Sequence, residues 1–119
     1  MPTKLLVIDD DPAITDMLAL VLPPEGFDVS AVNFGPAGIE AAKSLQPDII
    51  VLDLMMPDVD GWQVCKAIRT FSDVPILILS AMVNAEAISR AMEAGANDYL
   101  VKPAPLHSLT GHLRKLLGE

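Results

Sequence analysis

The sequence predicts an α/β fold in which five βα units build a doubly wound parallel sheet. Two observations carry that expectation. Short apolar runs alternate with amphipathic helical stretches five times along the 119 residues. The first, third and fourth runs are apolar at nearly every position, as strands covered on both faces must be. Right-handed crossovers then place helices on both faces of the sheet. Ligands in such sheets bind beyond the carboxyl ends of the strands, near a topological switch point.

The elements follow in order. Leu5–Ile8 reads as the first strand. Asp11 and Pro12 then open a helix, an N-cap followed by proline at the first helical position. Ile14, Met17, Leu18, Val21 and Leu22 recur on it at helical spacing until Pro23-Pro24 closes it. Phe27–Val32 is a weaker strand, and the helix after it runs from about Gly35 to Leu45, stopping before Pro47. Asp48–Leu52 is the third strand. A helix beginning near Gly61 turns Val64, Ala67 and Ile68 inward. Pro75–Leu79 is the fourth strand, and the helix from about Asn84 to Ala94 ends at Gly95, a left-handed cap. Asp98–Val101 is a short last strand. Leu106, Leu109, Leu113 and Leu116, spaced by three and four, mark the final helix.

Composition narrows the function classes. The chain has the length of one domain, spanning residues 1–119, and 51% of it is hydrophobic with a single Trp and a single Tyr, so its core is aliphatic. The net charge of −8 argues against direct binding of nucleic acid or an anionic membrane, which require Lys and Arg, and is compatible with a cation at the site. Cys65 is the only cysteine, which excludes an internal disulfide and a cysteine metal cluster and leaves a small apolar side chain on a buried helix face. No stretch approaches the ~20 apolar residues of a membrane span, and the N-terminus lacks the pattern of a signal peptide. A cytoplasmic protein is the expectation.

The acidic residues point to a site. The first strand ends in Asp9-Asp10-Asp11 and the third in Asp53, so carboxylates converge on one edge of the sheet. A lone aspartate there would be read as a helix cap or a solvated loop edge, and Asp11 is read that way. Two clusters at alternate strand ends need a neutralising cation. Hard carboxylate oxygens without His or Cys suit Mg²⁺, with Mn²⁺ as a substitute. The same aspartates argue against a glycine-rich nucleotide-binding turn, which presents backbone amides to phosphate.

Four motifs then identify a resemblance. Val7-Ile8-Asp9-Asp10, the stretch Leu52-Asp53-Leu54-Met55-Met56-Pro57-Asp58-Val59-Asp60-Gly61, Ser80-Ala81, and Tyr99-Leu100-Val101-Lys102-Pro103 together resemble the response-regulator receiver pattern of two-component signalling, in order and spacing, over essentially the whole chain. The resemblance implies a flavodoxin-like (βα)5 sheet of strand order 2-1-3-4-5. It implies that Asp53 is the phosphoacceptor and that Asp9, Asp10, Asp53 and the carbonyl of Met55 hold Mg²⁺. Lys102 would pair with the carboxylate and then with the phosphoryl group, and a cis peptide would join it to Pro103. Ser80 and Tyr99 would form the switch, the hydroxyl drawing its loop toward the phosphoryl group while the aromatic ring rotates inward. The partners implied are a histidine kinase or phosphotransfer protein as donor and an output protein or domain, engaged through the fourth helix, fifth strand and fifth helix. That face could also form a homodimer. The chain would be a signalling phosphoacceptor, not an enzyme, catalysing only its own phosphorylation and dephosphorylation.

Some residues depart from the pattern or stand outside it. Ala104-Pro105 follows Lys102-Pro103 where the family commonly has a bulky aromatic, which affects the start of the last helix. Met55 and Met82 occupy the positions flanking the site that influence access of water, and a thioether cannot activate water, so slow dephosphorylation is expected. His107 and His112, five apart on the last helix, lack metal-ligand spacing and are expected to be solvated. Trp62 is expected to be a partly exposed packing residue. No output domain follows Glu119, which fits either a stand-alone regulator or a piece of a longer protein.

Two other readings compete. Asp9-x-Asp11 after a strand suggests a haloacid-dehalogenase-type phosphatase, but that family resembles a larger fold and would leave Asp53 without a role. A pseudo-receiver would bind partners without phosphorylation, although Asp9, Asp10, Asp53, Ser80 and Lys102 are all of the type the active pattern requires.

Overall fold

A computed structural model describes residues 2–119. Its strands β1 (Thr3–Ile8), β2 (Phe27–Val32), β3 (Ile49–Leu52), β4 (Ile76–Ser80) and β5 (Asp98–Val101) form one parallel sheet in the order β2-β1-β3-β4-β5. The helices α1 (Pro12–Val21), α2 (Gly35–Leu45), α3 (Gly61–Arg69) and α4 (Ala85–Glu93) are the crossovers, and α5 (Leu106–Leu116) follows the last strand. The predicted architecture is therefore the observed one.

Period-two alternation sorts the strand side chains into two cores. Leu6, Ile8, Ile50, Leu52, Ile76 and Ile78 pack on one face with Val64, Cys65 and Ile68 of α3 and Ala91 of α4. Leu5, Val7, Ile49, Val51, Leu77 and Leu79 pack on the other with Leu18 of α1 and Leu109 and Leu113 of α5. A register slip of one residue would exchange the two sets, and the helices above them could not absorb that. Cys65 is buried, as expected of an apolar filler.

The helix ends follow local chemistry. Asp11 caps α1 by accepting from the Ala13 N–H at 2.9 Å, Asp60 caps α3 through Gln63 at 3.0 Å, and Asn84 caps α4 through Ala87 at 2.8 Å. Gly95 follows α4 at φ +113°, a conformation that a Cβ disfavours. Helix α1 ends before the two prolines, which instead begin a separate 3₁₀ turn over Pro23–Glu25.

Strand boundaries shift slightly from expectation. Thr3 and Lys4 join β1 because they pair with Phe27 and Asp28. Asp48 falls outside β3 and uses its carboxylate to accept the Lys4 N–H at 2.8 Å. Strand β4 begins at Ile76 because Pro75 has no N–H to give the ladder and offers only its carbonyl, to Ile50. No described helix is long and apolar enough to cross a membrane.

Arg69 staples the edge of the sheet opposite the acidic site. Its guanidinium donates to the carbonyls of Gly95, Ser72 and Val74 and to Asn97 Oδ1, at 2.7–3.1 Å. Arg69→Ala removes the donor from the three carbonyls, while Asn97 Oδ1 keeps the Ile76 N–H at 2.9 Å, and is expected to cost about 2 kcal/mol in urea denaturation. An unchanged midpoint would show that water replaces the guanidinium at no cost.

Candidate functional site

Asp9, Asp53 and Lys102 each stand one step beyond a strand yet remain tied to the ladder. The Asp9 N–H donates to Val32 O at 3.2 Å, the Asp53 N–H to Ile8 O at 2.9 Å, and the Lys102 N–H to Ser80 O at 2.9 Å. The backbone hydrogen bonds of the sheet thus fix where these side chains begin. They converge between β1 and β3, on either side of which the chain leaves toward β2 and toward β4, the switch point of the strand order.

Asp9, Asp10 and Asp53 each bring a carboxylate oxygen within 4.8 Å of the others. Asp9 and Asp53 are 3% and 5% exposed, and Asp10 is open to solvent. Lys102 Nζ lies 2.6 Å from Asp9 Oδ2 and 3.7 Å from Asp53 Oδ2. The lysine is therefore nearer to Asp9 than to the carboxylate it is expected to serve. Asp9 is otherwise committed, its Oδ1 accepting the Asp11 N–H at 3.0 Å. One ammonium against three clustered carboxylates leaves negative charge uncompensated. Burial, then the neighbouring Asp9 charge, push the Asp53 carboxyl up to about 6, against the opposing pull of Lys102 and the amides of Met55 and Leu54. An all-oxygen donor set with excess charge fits a hard divalent cation.

Ser80 is fully buried at the end of β4, and its Oγ accepts the Met82 N–H at 3.3 Å. Tyr99 on β5 already points toward this loop and donates its hydroxyl to Met82 O at 2.8 Å. Burial raises its phenol, the neighbouring Ser80 hydroxyl lowers it, and the Asp53 charge raises it further. The two expected switch residues thus meet on the same loop, each hydrogen-bonded to the Met82 backbone. Met55, two residues after Asp53, is 58% exposed. With Met56, Met82, Trp62 and Asp10 it lines an open groove of about 420 Å³ beside the carboxylates. Trp62 is partly exposed, as expected, and links α3 to α4 by donating to Ala87 O at 3.3 Å and stacking under the Arg90 guanidinium.

One residue beneath the site was not anticipated. Asn33 Nδ2 donates to Asp9 O at 2.9 Å and to Thr15 Oγ1 at 3.0 Å, joining the loop after β2 to the acidic turn and to α1. An amide side chain just beyond a strand is the only signal the sequence offers for it. His112 corrects an expectation. It is not simply solvated, because its Nδ1 lies 2.7 Å from Asp98 Oδ2 and ties α5 to β5. Residues 14 apart share this contact because α5 packs back along its own strand.

The response regulator receiver domain family matches residues 5–114. The chain belongs to that family. The receiver is 38% identical over 117 residues to the DNA-binding response regulator MtrA of Mycolicibacterium smegmatis, covering 98% of this chain and 51% of that protein. It is 40% identical to the DNA-binding dual master transcriptional regulator RpaA of Synechocystis, covering 96% of this chain and 48% of the other. The receiver therefore spans about half the length of these curated relatives. Among solved structures it resembles a two-component response regulator from Clostridium difficile, with TM-score 0.94, 30% identity and coverage of 98% and 97%. It also resembles the BeF3-activated N-terminal receiver domain of Klebsiella pneumoniae RstA, with TM-score 0.92, 29% identity and coverage of 98% and 99%. The receiver is a signalling module of two-component systems, not a conventional enzyme, and its Lys102–Pro103 bond is cis.

Proposed function

We propose that the receiver accepts a phosphoryl group on Asp53 from a histidine kinase or phosphotransfer protein, and thereby reshapes the α4–β5–α5 face toward an output partner or domain. The convergence of buried Asp53 with Asp9, Asp10 and Lys102 carries this reading. With its carboxyl at about 6 in the metal-free protein, Asp53 is ionised at pH 7 and needs no base to supply the attacking lone pair. One carboxylate oxygen forms the O–P bond as the P–N bond to the donor imidazole breaks, and the imidazole keeps the electron pair and takes up a proton. Lys102 is within reach to move from Asp9 onto the incoming phosphoryl oxygens. Mg²⁺ held by Asp9, Asp10, Asp53 and the Met55 carbonyl would supply charge neutralisation for that transfer.

The Ser80 hydroxyl is at the right strand end to donate to the phosphoryl group. Doing so would disturb its contact with Met82, and through the Met82 carbonyl the hydroxyl of Tyr99. The loop and the ring would then report phosphorylation to the output face as a shift between two packings. The relatives named as DNA-binding are about twice as long as this chain, so in such an arrangement a further domain would meet DNA. The receiver, at net charge −8, would meet protein.

Intact-protein mass after incubation with acetyl phosphate and Mg²⁺ tests the reading. One added phosphoryl group is expected, absent in Asp53→Asn and in a chelator control. No addition in any arm, together with no binding of beryllofluoride, would instead make this a phosphorylation-independent binding module.

Phosphoryl lifetime is a second expectation. Met55 and Met82 border the groove beside the carboxylates with thioethers that neither orient nor activate water. The double variant Met55→Asn, Met82→Glu is expected to lose its phosphoryl group about tenfold faster or more. Equal lifetimes by mass spectrometry would remove the methionines from the account.

A further inference from the structure

On the other face of the sheet, α1, the end of β4 and the start of α5 enclose a cavity that the phosphoacceptor chemistry does not use. Its volume is about 220 Å³, and Ile14, Met17, Leu18, Leu79, Pro103, Ala104 and Leu109 line it together with Lys102. Leu18, Leu79 and Leu109 are buried and form the floor, while Met17, 46% exposed, stands at the mouth. Lys102 contributes its alkyl stem, because its ammonium is held at Asp9.

The volume follows from one residue. The chain passes from cis Lys102–Pro103 into α5 through Ala104, which presents a single methyl to this space. Water is a poor occupant. An ordered water needs about 2–4 polar partners, and an apolar cavity of about 150 Å³ stays dry and takes benzene.

We propose that this cavity is a binding site for a small uncharged aromatic molecule of one ring. Charge selects the class. An anion would find no free cation among the described residues of the lining, since Lys102 is committed, and would enter a protein of net charge −8 beside its acidic cluster. A cation would lose its hydration to an aliphatic lining that offers no counter-charge. A neutral ring replaces water with dispersion contacts to the leucines and gains a sulfur–aromatic contact with Met17. Because the stem of Lys102 is one wall, a bound ring also restrains the residue that serves Asp53. This second consequence rests on the phosphoacceptor reading, and the binding itself does not.

Benzene is the probe. Methyl NMR titration is expected to give saturable shifts at Met17, Leu18 and Leu109 with a Kd of about 1 mM or tighter. Ala104→Phe places a ring in the cavity and is expected to weaken benzene binding about tenfold or more, with a melting temperature no lower than that of the parent. Absence of saturable shifts in the parent, or equal affinity in a folded Ala104→Phe variant, overturns the site. Saturating benzene is expected to change the rate of phosphoryl incorporation from acetyl phosphate about twofold or more in the parent and not in Ala104→Phe. Equal rates with and without benzene overturn the restraint on Lys102. A parent that takes up no phosphoryl group at all overturns the phosphoacceptor reading, while the NMR titration decides the binding site separately.

Discussion

Gly61→Ala is expected to lower the unfolding free energy by about 3 kcal/mol and to abolish phosphoryl uptake from acetyl phosphate. Gly61 is the first residue of α3 and lies directly on the loop that carries Asp53. Its N–H donates to Leu54 O at 2.9 Å. A Cβ there would overlap the carbonyl oxygen of Asp53 and come to 2.6 Å from Leu54 Cα. Both are backbone atoms, so no rotamer change relieves the overlap and either α3 or the end of β3 must move. Gly111, midway along α5, provides the contrast. A Cβ there meets nothing within 4 Å, so Gly111→Ala is expected to stabilise by about 0.5–1 kcal/mol through helix propensity. Urea denaturation of the two variants measures both effects. If Gly61→Ala keeps parental stability and parental phosphoryl uptake, close packing of α3 on the Asp53 loop is not what positions that carboxylate.

Asp53→Asn is expected to stabilise the metal-free protein at neutral pH by on the order of 2 kcal/mol, raising its melting temperature by about 5–10 °C. Burial beside Asp9 moves the Asp53 carboxyl from 3.8 to about 6. The folded protein therefore holds this proton more tightly than the unfolded chain does. The favourable contribution of protonated Asp53 is fully present below 3.8, fades as pH rises through about 6, and is gone above it. The advantage of the asparagine variant should accordingly be largest above about pH 7 and vanish on acidification to about pH 4. Added Mg²⁺ should narrow the gap at neutral pH, because a cation bound to the folded parent stabilises it by mass action. Thermal melts across pH, with chelator and with Mg²⁺, provide the measurement. A variant no more stable than the parent in chelator at pH 7 would mean that Lys102 already neutralises the cluster, and that the site exerts no demand for a metal.

These two expectations sit on opposite sides of what the chain discloses before it is folded. Strand, helix and turn identities were legible because each depends on residues only a few positions apart. The near-continuous apolar runs Leu5–Ile8 and Asp48–Leu52 read as buried parallel strands. Asp11-Pro12, Asp60-Gly61 and Asn84 mark helix starts, and Gly95 marks a stop. Asp9, Asp10 and Asp53 were legible for a related reason, whereas Ser80 and Lys102 were singled out by motifs that resemble the receiver pattern. In a parallel sheet every strand's carboxyl end lies on the same edge, so a polar residue just past a strand is placed by topology alone.

The tertiary structure decided whatever depends on distances between those ends and on how helices lie over the sheet. It put Lys102 closer to Asp9 than to Asp53, a pairing 93 residues apart that turns on the path of the chain through Pro103. It brought Asn33 under Asp9 across 24 residues, and His112 onto Asp98 where an isolated helical pattern suggested solvent. It set the clearance at Gly61 to nothing and opened a cavity at Ala104. Period and punctuation in a sequence determine which faces must be buried and which residues reach an edge. Side-chain partners far apart in the chain, and the space left between packed layers, follow only once register and helix placement have brought the surfaces together.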